Sequence, residues 1–199
     1  MKRFASVLSL ALLFLSACAQ PPTPIAFQGQ EKERFTRCTL RPNRQVLFSS
    51  NYLGFPPMIP AGSPSKVNMF SASRVDLTLN KISYQMFPRT VPFDHNPDLF
   101  LKKYFVDRKE ELGLEGVDET MRKNIQNGVW VLGMTKAEVY AALGPPNWID
   151  HEIEATNLPL ETILERNRWE YRHGDIMFPI FPEMKIFVFE EGKLRQTIP

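Results

Sequence analysis

Two cysteines, three histidines and ten glycines in 199 residues leave little room for several familiar kinds of chemistry. Two thiols do not make a disulfide scaffold, and they cannot complete a cysteine-rich zinc site. His95, His151 and His173 lie far apart, each beside an acid or a glycine, so none has the short-range partner that metal-ligand spacing requires. Asp150-His151-Glu152 reads as a solvated loop and His173-Gly174-Asp175 as a turn. No Gly-x-Ser-x-Gly elbow, phosphate loop or zinc-protease motif occurs, and adjacent pairs such as Glu110-Glu111 and Glu190-Glu191 read as exposed charge. An excess of one charge is missing too. The formal charge of +2 is supplied by Lys2 and Arg3, and the remaining basic and acidic residues balance at 22 each. That balance removes the basic footprint of a nucleic-acid binder. Beyond the N-terminus no apolar run reaches transmembrane length. The sequence therefore reads as a non-enzyme, without catalytic residues, metal ligands or a cofactor site.

What is present starts at the N-terminus. Met1-Lys2-Arg3 is basic, Phe4 to Leu15 is apolar apart from two serines, and Ser16-Ala17-Cys18 follows. The apolar run has the length of a signal-peptide core and is short for a bilayer span. Leu15-Ser16-Ala17-Cys18 is similar to the lipobox of bacterial lipoprotein signal peptides. This resemblance covers residues 1–19 and implies a cleaved signal peptide over 1–17, with lipid on the Cys18 sulfur. Several acyl chains on one residue give firm attachment, since each buried methylene contributes roughly 0.8 kcal/mol. Ala19 in place of an aspartate after the cysteine points, by the same resemblance, to the outer membrane with the protein facing the periplasm. Ordinary cleavage after Ala17-Cys18-Ala19 is the alternative. If Cys18 is lipidated, Cys38 lacks an intramolecular disulfide partner and reads as a buried or half-buried thiol.

Residues 18–34, rich in proline and polar side chains, read as a tether. Residues 35–97 read as a small β-rich region. Val75, Leu77 and Leu79 interleave with Arg74, Asp76 and Thr78, and Ile82, Tyr84 and Met86 carry the same period. Asn80-Lys81 between them suits a tight hairpin, because Asn tolerates positive φ. Strands over 45–48 and 66–70 would complete a small barrel. The loop Ile59-Pro60-Ala61-Gly62-Ser63 before a strand is similar to SH3-like modules. Residues 98–117 read as a connection holding one helix, opened by Pro97-Asp98, running through Leu112 and ended by Gly113 and Gly116. Asp118 then caps a helix over 119–126, with Met121 and Ile125 as its apolar contacts and Asn127-Gly128 as its stop.

The stretch from Gly133 to Pro146 spells out a short helix with both ends marked. Thr135 is the N-cap and Glu138 completes a capping box. Met134 and Val139 are spaced as a hydrophobic staple, and Gly144-Pro145-Pro146 stops the helix. Val139, Ala142 and Leu143 share a face, which must lie on something apolar. Residues 147–165 read as irregular. Strands are expected over 168–172, 184–189 and 193–198, the last two joined by the turn signal Glu191-Gly192. The insert Phe178-Pro179-Ile180-Phe181-Pro182 cannot be a central strand.

Ile125, Gly128, Gly133-Met134-Thr135, Glu138-Val139, Leu143-Gly144 and Pro146, then Trp169-Glu170-Tyr171, then Ile186 to Phe189 with Gly192-Lys193-Leu194, resemble the BamE (small protein A) domain. The likeness covers about residues 118–199. It implies two helices on a three-stranded antiparallel sheet, in an outer-membrane lipoprotein whose partners are barrel-assembly proteins. Founding members are about half this length, so the upstream β-region and the segment after Pro146 are additions. The expected fold is thus α+β, a small SH3-like β-region followed by a BamE-like domain over 118–199. The expected function is that of a membrane-anchored binding or scaffold module in outer-membrane protein assembly or envelope integrity. Recognition of peptidoglycan or a peptide by the SH3-like region, and inhibition of a periplasmic enzyme, are the alternatives. Trp130 and Trp169 read as core, whereas Trp148, Phe178 and Phe181 are the candidate partner-binding anchors.

Overall fold

The structure, a computed structural model, describes residues 23–49, 57–88, 92–173 and 183–199. Cys18, Phe178 and Phe181 lie outside the described residues. The fold is α+β, with two sheets and four helices. The first sheet contains β1 (Arg34–Thr36), β2 (Val46–Phe48), β3 (Pro64–Phe70), β4 (Val75–Leu79), β5 (Ile82–Phe87) and β6 (Phe105–Val106). Its order is β2-β5-β4-β3-β1-β6, curled into a half-barrel. Alternation along β4 buries Val75, Leu77 and Leu79. The turn into β5 has Asn80 at φ 49° and Lys81 at φ 69°, positive at both central residues as a tightly twisted hairpin needs.

Three expectations for this half are corrected. The small barrel over 35–97 is an open sheet, and it draws β6 from beyond residue 97. The single helix expected through Leu112 is also divided. Its first part, α1 (Pro97–Tyr104), is capped by Asn96, whose side chain accepts from the Asp98 N–H at 3.0 Å. It ends because Phe105 and Val106, both strand-favouring, pair with Thr36 and Phe35. A 3-10 turn at Lys109–Leu112 follows, closed by Gly113. The described part of the tether is docked as well. The Ile25 N–H donates to Phe70 O at 2.7 Å, and the Phe27 ring meets Phe70 edge-on at 6.3 Å. Ile25 and Phe27 are the apolar exceptions in a polar stretch, and burial draws them onto the sheet.

The second sheet is antiparallel throughout and ordered β11-β10-β9-β7-β8, from β7 (Trp148–Ile149), β8 (Ile153–Glu154), β9 (Arg168–His173), β10 (Glu183–Glu190) and β11 (Lys193–Ile198). The expected three strands are therefore five. The segment read as irregular forms the β7–β8 hairpin and a short helix, α4 (Leu160–Glu165). Its turn is Asp150-His151, both at positive φ, with strands too short to display alternation.

The two helices between the sheets begin as their sequences dictate. In α2 (Glu119–Gln126) the Asp118 side chain accepts from the Met121 N–H at 2.8 Å. In α3 (Lys136–Leu143) the capping box is complete: Glu138 N–H donates to Thr135 Oγ1 at 3.2 Å, and Thr135 N–H donates to Glu138 Oε2 at 2.6 Å. Residues 139 to 143 are all buried, so α3 packs on more than the single face that its pattern suggests. One side lies on the second sheet, where Tyr140 meets Trp169 at 6.2 Å between ring centroids. On another, Ala141 O accepts from the Thr39 N–H at 2.7 Å. A single apolar core runs from Cys38 and Leu77 through Val139 to Leu194.

Candidate interaction surface

Among the described residues of the second half, the most exposed large apolar side chains belong to the loop between α2 and α3. Helix α2 ends in a Schellman arrangement: Val129 N–H donates to Asn124 O at 2.8 Å and Gly128 N–H to Ile125 O at 3.0 Å. Gly128 sits at φ 63°, and a Cβ there would collide with the Arg41 guanidinium, which donates to Gly128 O. At the loop's other end, Gly133 N–H donates to Leu194 O at 2.8 Å and Leu194 N–H to Met134 O at 2.7 Å. The backbone is thus pinned at both ends. Between the pins, Val129 is 45% exposed and Leu132 61% exposed. Trp130 is half-buried, edge-on to Phe187 at 5.1 Å, with Lys185 Nζ 5.4 Å from its ring. An apolar loop fixed by backbone bonds loses little entropy on docking, which suits it to a partner's apolar groove.

Sequence reasoning passed over Val129 and Leu132, which lie between the stop of α2 and the cap of α3. The available signal was a four-residue apolar run fenced by Gly128 and Gly133. Trp148, expected as an anchor, is half-buried in β7 and pairs with Glu170 of β9. Trp169 is fully buried, and its indole N–H donates to Ile163 O at 3.0 Å.

Trp148 and Glu170 share the sheet face opposite Trp169 and α3. Glu170 is only 3% exposed there, with His151 Nδ1 in contact with its carboxylate and Arg168 Nε 3.7 Å away. His151 is exposed in the turn, as its sequence suggested, and its ring also touches a buried carboxylate. The contact staples the β7–β8 turn onto the sheet. Arg166 reinforces it through Asp150 at 3.3 Å. Among the described residues no group of three His, Cys, Asp or Glu side chains is placed to hold a metal ion.

Two further polar groups are embedded between the halves. Lys103, 2% exposed, donates to Ala155 O at 3.2 Å and to Thr156 O. Burial pulls its ammonium down from 10.5 to about 8, with Asp94 opposing. The Cys38 thiol is buried and pushed up to about 12 by loss of solvent, against the pull of Arg37 and Arg41. A thiol held in that state is not a nucleophile at neutral pH.

Compared with family models, curated proteins and solved structures, the chain matches none.

Proposed function

We propose that the protein is a lipid-anchored, periplasm-facing binding module of the bacterial outer membrane, and that it presents the Val129–Leu132 loop to an envelope protein. The observation that carries this reading is the exposure of Val129 and Leu132 on a backbone pinned at both ends. The anchor is read from Leu15-Ser16-Ala17-Cys18. Lipid at Cys18 raises the effective concentration of the domain for any membrane-bound partner, without a new contact being made. The likeness of residues 118–199 to the BamE domain makes barrel-assembly proteins the partner class to test first.

Two measurements test the reading. Growth in labelled palmitate is expected to label the wild-type chain and not Cys18→Ser; equal labelling refutes the anchor. Crosslinking in membranes is expected to join the wild type to barrel-assembly proteins and to lose that product in Leu132→Asp. A product of undiminished yield in that variant refutes the loop as the docking surface.

A further inference from the structure

We infer that the end of the first sheet where Ile25 docks, beside the β3–β4 turn, lies in the hemisphere that faces the bilayer, at a range shorter than the protein's own diameter. This rests on the anchor proposed at Cys18 and adds to it which surface the lipid headgroups meet. Ile25 is fastened through its N–H to Phe70 O. Phe27 adds its ring to Phe70, which also meets Phe93 at 6.2 Å and Phe100 at 5.4 Å. The chain is therefore fastened to the body at Ile25, ahead of β1. From Cys18 to Ile25 there are seven Cα–Cα steps, at most about 25 Å when fully extended. The folded body has a radius of gyration of roughly 16 Å and so is about 40 Å across. Turning its far pole to the membrane would require the leash to run half-way round, on the order of 60 Å. Covalent length alone forbids that.

Attraction is not needed. Arg74, in the β3–β4 turn, is paired with Asp76 at 3.0 Å. Proximity is imposed by the leash, so it should survive high salt, unlike electrostatic adsorption.

Ser73 and Lys81 are exposed turn residues at opposite ends of β4, roughly 20 Å apart by strand rise. Lipidated full-length Ser73→Cys and Lys81→Cys chains would each carry the same donor dye. They would be reconstituted in vesicles of phosphatidylethanolamine and phosphatidylglycerol bearing a headgroup acceptor. Cys38 does not compete for label, being buried with its thiol near 12. Energy transfer is expected to be greater from residue 73 by about twofold or more, given that depth difference, and to persist in high salt. A flexible twenty-residue Gly/Ser insert between Gln20 and Pro21, about 70 Å of added contour, should bring the ratio close to one. So should Phe27→Asp, which undocks the strap. Equal transfer with the native leash, or a ratio indifferent to the insert, overturns the orientation while the anchor stands. Failure of the native chain to float with the vesicles overturns the anchor and the orientation together.

Discussion

Lys103 shows how far one side chain can be pushed by its surroundings. A buried ammonium is costly, so the folded state favours its neutral form more than the unfolded state does. Between about pH 8 and 10.5 the unfolded chain holds the extra proton, and stability rises with pH across that window. The contribution is complete above 10.5 and is lost as pH falls through about 8. Its full span is about 3 kcal/mol. Denaturant titrations of wild type and Lys103→Met should therefore give a stability difference that moves in favour of the wild type by that amount from pH 8 to 10.5. A flat difference refutes the assignment. Cys38 behaves in the opposite sense, its contribution being present below 9 and lost as pH rises through about 12. At neutral pH an alkylating reagent should reach it only as fast as the protein opens.

At the level of elements, the capping box of α3 is the best-specified feature of the chain. Thr135→Ala removes the acceptor for the Glu138 N–H and should cost about 1 kcal/mol, read as a lowered denaturation midpoint. This helix start was legible because caps, staples and stops act over a few neighbouring residues. The Asn80-Lys81 and Glu191-Gly192 hairpins were legible for the same reason, each lying between two runs that read as strands. Other elements were not. Helix α1 ends at Tyr104 because Phe105 and Val106 find β1, some 70 residues away in sequence. No local breaker marks that point. Asp150-His151 turns without glycine, held by Glu170 and Arg166, so its signal lies in distant partners. Val129 and Leu132 point outward only because Leu194 claims the backbone beside them.

At the scale of the whole molecule, one apolar cluster draws on both sheets. Thr39 is the clearest joint. Its hydroxyl donates to Ile125 O at 2.7 Å and accepts from the Ala61 N–H at 3.2 Å, while its own N–H reaches Ala141 O. Thr39→Val keeps the shape, strips two buried bonds and should cost about 2 kcal/mol. Unfolding should also be a single event. Trp130, Trp148 and Trp169 all report on the second sheet, whereas amide exchange in Val75–Leu79 reports on the first. Coincident transitions by the two probes are expected from a continuous core. Separated midpoints would show two independent domains.

From the sequence alone came the two capped helices, the alternating strands and the balance of charge. Each is written in neighbours or in composition. Tertiary structure alone decided that α3 is enclosed, that β6 joins the first sheet, that Ile25 is fastened to Phe70, and that Leu132 is left in solvent. Those outcomes depend on which distant surfaces compete for the same apolar contact or backbone hydrogen bond, and a local pattern holds no record of that competition.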